Sequence, residues 1–211
     1  MGETNKIQKP KNALVLMGSP RPRGVTATLV DCFVAQWHAQ MQPEDPVRII
    51  SAYELGLKPC IHCGYCKHTQ GCTYDDFTPL DRAFQDADFL VVASPVFCLG
   101  FPAPLKAIFD RTQQYYEAKF SLGIQKPVGR PKYALFLVTF GSPDPRGAAM
   151  MEEQLRLVFH LLNARLEHTI MARHTDTRPL DRIGIEAACQ RVLQDFKTKI
   201  PAEDGLSTGN L

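Results

Sequence analysis

Cys60, Cys63, Cys66 and Cys72 lie within thirteen residues, at spacings of three, three and six. A thiolate is both a soft metal ligand and the reactive form of cysteine, so four in one short loop can hold a metal centre or take part in redox chemistry. Gly64 and Gly71 sit inside this run and let the backbone turn closely. Ligation by cysteine alone, packed this tightly, suits a [4Fe–4S] cluster. Two alternatives stay open. Zinc also accepts four cysteines, with His62 and His68 as further ligands, and the thiols can equally stand without metal. The chain has seven cysteines, an odd number with four crowded together, which fits a reducing compartment better than a disulfide scaffold. Cys32, Cys98 and Cys189 read as small buried thiols, and the remaining histidines lack partner spacing.

A second stretch could bind an anion. Gly18-Ser19-Pro20-Arg21-Pro22-Arg23-Gly24-Val25-Thr26 stands between an apolar run and the first helical pattern. A helix N-terminus offers unpaired N–H groups and the positive end of its dipole, while Ser19 and Thr26 add hydroxyls and Arg21 adds charge. These parts suit a phosphomonoester. The stretch is neither the dinucleotide Gly-x-Gly-x-x-Gly pattern nor a loop ending in Gly-Lys-Ser/Thr, so nucleoside triphosphate chemistry loses support. A plain strand-to-helix turn capped by Thr26 is the competing reading.

The elements that must carry these loops are legible as periodicity. Apolar runs short enough for buried strands recur at residues 13–17, 47–50, 89–93, 133–139 and 167–172. Helical patterns fall at 26–40, 78–86, 103–116, 150–164 and 181–200. In 103–116 and 150–164, Leu105, Ile108, Phe109 and Thr112, and Leu155, Val158, Phe159 and Leu162, recur at spacings of three and four, giving each helix one apolar face. Strand and helix alternate, which predicts an α/β fold: a doubly wound, five-stranded parallel sheet with helices on both faces, in the order 2-1-3-4-5. Ligands in that order sit at the carboxyl ends of the strands. One domain over 12–200 is expected, with the cysteine loop at 59–76, a polar arm at 1–11 and a polar tail at 201–211. The connection 117–131, rich in Gly and Pro, reads as a lid or a subunit contact, and Lys106 and Arg111 read as charges on a helix surface.

The phosphate-loop stretch resembles the Gly-Ser-Pro-Arg…Gly-Asn-Thr segment of the NADPH-dependent FMN reductase and iron-sulfur flavoprotein families, which are flavodoxin-like. Ser94-Pro95-Val96-Phe97-Cys98-Leu99-Gly100, followed by Pro104 to Arg111, is similar to their Ser-Pro-Val-Tyr loop and Leu-Lys-x-x-x-Asp-Arg helix. Thr139-Phe140-Gly141-Ser142 is similar to their last flavin loop. The resemblance implies that Ser19, Arg21 and Thr26 hold an FMN phosphate. It places Pro95, Val96, Phe97 and Gly100 along the ribityl chain and ring, and Phe140 and Gly141 at the pyrimidine end. Val25 stands where those families carry a polar Asn or Ser, so its contribution to the phosphate must come from backbone. The cysteine spacing resembles the compact motif of the iron-sulfur flavoproteins, with Asp75-Asp76 following as in that family. The same resemblance implies a homodimer or homotetramer.

Composition narrows the partners. Lysine plus arginine less aspartate plus glutamate is 24 − 22 = +2, with no basic stripe of the kind that neutralises a phosphate backbone, so nucleic acid is not expected. The longest apolar runs are far shorter than a membrane span and no secretory hydrophobic region opens the sequence, which predicts a cytoplasmic protein without membrane contact. Three activities fit: an FMN and [4Fe–4S] electron-transfer flavoprotein serving a small redox protein or small-molecule donor or acceptor; an NAD(P)H-dependent FMN, quinone or azo reductase without a cluster; and a non-catalytic redox sensor or shuttle.

Overall fold

In β1 (Ala13–Met17), β3 (Phe89–Pro95) and β4 (Lys132–Phe140) almost every residue is buried, as expected of strands covered on both faces. The computed structural model describes residues 11–199. β2 (Val47–Ser51) and β5 (Ala164–Arg173) form the edges, and all five strands pair in parallel in the order β2-β1-β3-β4-β5. This is the predicted sheet.

Alternation along the strands divides the core in two. Leu14, Leu16, Leu90, Val92, Phe136 and Val138 face one layer, made by α3 (Thr78–Asp86), α4 (Ala103–Arg111), α5 (Gln113–Phe120) and α6 (Arg146–Leu161). Val15, Met17, Phe89, Val91, Leu135 and Leu137 face the other, made by α1 (Val25–Gln40) and α7 (Arg182–Lys199). Trp37 and Phe196 stack there at 6.1 Å, and Phe196 meets Phe89 edge-on at 4.9 Å. Each such side chain contributes about 1.5–3 kcal/mol by leaving water, so the sheet is a rigid base for its loops.

The differences from the sequence reading have local causes. The helix expected over 103–116 breaks at Thr112, whose hydroxyl donates to the Phe109 carbonyl at 2.7 Å, a back-bond that competes with the helical ladder. The helix expected over 150–164 begins at Arg146 instead, where the Asp144 carboxylate accepts the Arg146 N–H, and residue 164 already belongs to β5. β5 is longer than expected and carries a bulge: Leu166 pairs with Ala134 and His168 with Leu135, leaving Glu167 unpaired. A short helix, α2 (Ala52–Leu55), follows β2 and is capped by Ser51, which accepts the Glu54 N–H.

The connection at 117–131 is no lid. Its first residues complete α5, Val128 is fully buried, the Pro127 carbonyl accepts from Gln85, and Arg130 reaches Asp86 and Asp88. Of the expected arm and tail, only Lys11 falls among the described residues; its N–H donates to Asp45. No helix among the described residues is long and apolar enough to cross a membrane.

Candidate functional site

Three loops leave the carboxyl ends of β1, β3 and β4, and hydrogen bonds tie them together. The Gly18 N–H donates to the Ala93 carbonyl at 2.7 Å, and the Val96 N–H donates to the Thr139 carbonyl at 3.0 Å. The Thr26 and Thr139 hydroxyls meet at 2.8 Å, both buried. A Cβ on Gly18 would strike Leu105, so only glycine lets β1 end this close to α4. Thr139 is the hub of this arrangement. The sequence marked it only as part of the loop after β4, because its two partners, Val96 and Thr26, come from the β3 loop and from α1.

The phosphate loop is open where an anion would sit. Gly24 is the N-cap of α1 and no side chain caps that helix, so its first N–H groups are left to solvent or a ligand. The Thr26 cap considered from the sequence is therefore absent: its hydroxyl meets that of Thr139, and the half-buried Val25 beside it offers a phosphate only its backbone. Ser19 is buried and accepts the Arg21 N–H, which shapes the turn. Arg21 is exposed and makes no ion pair among the described residues.

The loop after β3 forms a tight hairpin. Pro95 and Val96 are half-buried, while Phe97 and Gly100 exchange both backbone hydrogen bonds at 2.9 Å across Cys98 and Leu99. Both central residues adopt left-handed backbone, with φ of 49° and 61°, the type I′ pattern that glycine or asparagine normally fills. Phe97 is 46% exposed and Leu99 47%, an apolar rim on this hairpin, and Leu99 lies close to Gly147 of α6. Cys98 is exposed rather than buried as expected; Cys32 and Cys189 are buried as expected.

After β4, the Phe140 side chain lies in the core and its carbonyl accepts the Thr175 N–H at 3.3 Å. Gly141 is half-buried, and a Cβ there would overlap the Asp176 carboxylate. Asp176 thus borders this corner of the site, a residue that no motif in the sequence marked.

The cysteine loop makes a separate cavity. Cys60, Cys63, Cys66 and Cys72 all line it as free thiols, with Tyr65, Tyr74, Arg111, Gln114 and Glu117. Left-handed backbone at His62, Gly64 and Gly71 (φ 53°, 78° and 98°) wraps the loop around it, as the glycines had suggested. His62 and His68 are exposed. Among the described residues no three His, Cys, Asp or Glu side chains are grouped to hold a metal ion. Burial pushes the Cys66 thiol up, and the neighbouring Glu117 carboxylate adds to the shift. The Ser121 hydroxyl, with Gln113, holds Glu117 below the ordinary range.

Arg111 overturns its reading as a surface charge. It is 1% exposed, at the last turn of α4, and its Nη atoms donate to the Lys58 carbonyl at 2.8 Å, the Tyr74 carbonyl at 3.2 Å and the Asp76 carboxylate at 2.8 Å. It thereby clamps both ends of the cysteine loop. Burial works against an ionised Asp76, yet the Arg111 guanidinium and the Lys58 N–H outweigh it and hold the carboxyl below its ordinary value. The Arg111 Nε is buried without a hydrogen-bond partner in the structure. Lys106, by contrast, is exposed and paired with Asp110, as expected. One helix therefore joins the two sites: α4 starts beside the β3 hairpin and ends at the cysteine cavity, nine residues or about 13 Å away along its axis.

The sequence pattern of the family described as NADPH-dependent FMN reductase matches residues 12–173. An iron-sulfur flavoprotein of Methanocaldococcus jannaschii is 33% identical over 99 residues, 46% of this chain and 50% of the relative. The chain spans about half the length of the iron-sulfur flavoproteins it matches. An FMN-dependent NADH:quinone oxidoreductase of Clostridium acetobutylicum is 28% identical over 82% of this chain and 90% of its own length. Among solved structures, an NAD(P)H:quinone oxidoreductase from Methanothermobacter marburgensis shares the fold with a TM-score of 0.63, covering 89% of this chain and 99% of that one at 15% identity.

Proposed function

The chain belongs to the NADPH-dependent FMN reductase family, and from that membership we propose that it is an FMN-dependent oxidoreductase whose cysteine loop carries a [4Fe–4S] cluster in electron exchange with the flavin. When bound, the flavin supplies hydride and single-electron chemistry and the cluster supplies one-electron storage. Everything else is the work of this chain's residues. The uncapped N-terminus of α1, Ser19 and Arg21 suit a terminal phosphate. The hairpin Phe97–Gly100 offers an apolar rim for the ring, and Gly141 with Asp176 closes the far corner. Cys60, Cys63, Cys66 and Cys72 are the four ligands assigned to the cluster.

The observation that carries the cluster reading is the wall of the cysteine cavity: four free thiols around one space, with a buried N–H of Arg111 that has no acceptor. A sulfur-rich group fits both features. Zinc fits them less well, because one ion needs all its ligands within about 2.3 Å of a single point, whereas a cluster presents four separate irons.

A second reading, an NAD(P)H-dependent quinone or azo reductase in which the loop is metal-free, is favoured by the broad coverage of the Clostridium relative and by the lack of a grouped metal site among the described residues. Replacing Cys66 with Ser separates the two. On the first reading C66S loses iron while FMN content stays nearly intact, and reduction by an iron-sulfur protein donor falls sharply. If C66S keeps full donor-linked reduction and steady NAD(P)H turnover with a quinone, the second reading holds.

A further inference from the structure

We propose that Arg111 sets the reduction potential of the cysteine site, supplying a fixed positive charge and a hydrogen-bond donor to the group held there. The inference rests on the cluster reading of that cavity and assigns a role that the clamp alone does not require. Holding the Lys58 and Tyr74 carbonyls needs only the Nη atoms, and both are spoken for. The Nε–H is left over, buried and without an acceptor, in a residue that lines the same cavity as the four thiols. Buried donors are nearly always paired, so an unpaired one at a ligand cavity marks where a ligand atom belongs.

The charge matters as much as the donor. Arg111 is 1% exposed, and its one acidic partner, Asp76, has a side chain 26% exposed and therefore better solvated than the cation it pairs with. The Tyr74 and Phe77 rings each stand 5.3 Å from the guanidinium carbon and help to exclude water. Glu117 and Lys67, of opposite charge, line the same cavity. Reduction adds an electron to a centre already made negative by four thiolates. A buried cation and a hydrogen bond to sulfur favour that added charge and raise the potential.

The test is a redox titration of anaerobically prepared holoprotein, following cluster and flavin signals separately, with iron and sulfide content measured on each sample. Arg111→Gln should move the cluster midpoint to lower potential. Asp76→Asn removes the counter-charge and keeps an acceptor for the Lys58 N–H, and it should move the midpoint to higher potential. The flavin midpoints should move less in both. A purely structural role would loosen the loop in either variant and shift both the same way, so opposite signs are the signature. Should Arg111→Gln fail to fold, Arg111→Lys, which keeps the charge and loses the Nε–H, should still lower the midpoint, and an unmoved midpoint in that loaded variant would overturn the role. Loaded variants with unmoved or same-direction midpoints would overturn the role of Arg111 alone; wild-type protein without iron and sulfide would overturn the cluster reading and this role together.

Discussion

Arg21 is the side chain on which the phosphate assignment can be tested most simply, because it is exposed, free of ion pairs among the described residues, and not part of the core. Arg21→Ala should weaken FMN binding by about 1.5–3 kcal/mol, the range for hydrogen bonds to charged groups. An unchanged dissociation constant in a calorimetric titration would remove Arg21 from the site. Lys132 offers a test unconnected with the cofactors. Burial lowers its ammonium to about 8 from 10.5, and its Nζ donates to the Arg130 carbonyl. The folded state thus gives up this proton more readily than the unfolded state does. The resulting penalty is fully present below about pH 8 and is relieved as pH rises toward 10.5. Lys132→Met should therefore be more stable than wild type at pH 7 by about 2–3 kcal/mol at most, with the gap narrowing between pH 8 and 10.5 in urea denaturation. A constant gap across that window would contradict the assignment. At this scale the sequence was readable where one side chain acts on its own chain neighbourhood, as Ser19 and Arg21 do. It misread Arg111 as a surface charge and missed the Thr26 partner of Thr139, because those partners come from segments more than thirty and a hundred residues away.

Strain concentrates in the β3 hairpin, where two non-glycine residues occupy left-handed backbone. Each such residue costs roughly 1–2 kcal/mol, and asparagine tolerates the conformation better than cysteine. Cys98→Asn should raise stability by about 0.5–1 kcal/mol in thermal or urea unfolding; a loss of stability would mean that the Cys98 side chain makes a contact worth more than the strain. The hairpin also shows where element reading stops. Periodicity located all five strands, since buried parallel strands read as short apolar runs, and it located the helical segments between them, one of which is two helices. It could not show the break at Thr112, because no glycine or proline marks it and the cause is a hydroxyl turned back on its own helix. That break matters to the site, since it ends α4 at Arg111 and starts α5 with Gln113, Gln114 and Glu117 in the cavity wall.

For the whole molecule, the sheet order and the position of the three loops followed from alternation and from the rule that ligands gather at the carboxyl ends of parallel strands. The pairing of two sites through one helix did not follow, because it depends on how the cysteine loop folds back onto α4 and α5. A flavin site and a cluster site on one scaffold fix what protein purified without oxygen must contain, measured by its absorption spectrum with iron, zinc, acid-labile sulfide and flavin determined on the same sample. FMN together with about four iron and four sulfide per chain is the expected composition. One zinc per chain without sulfide, or a flavin-bearing protein with neither metal, would contradict it.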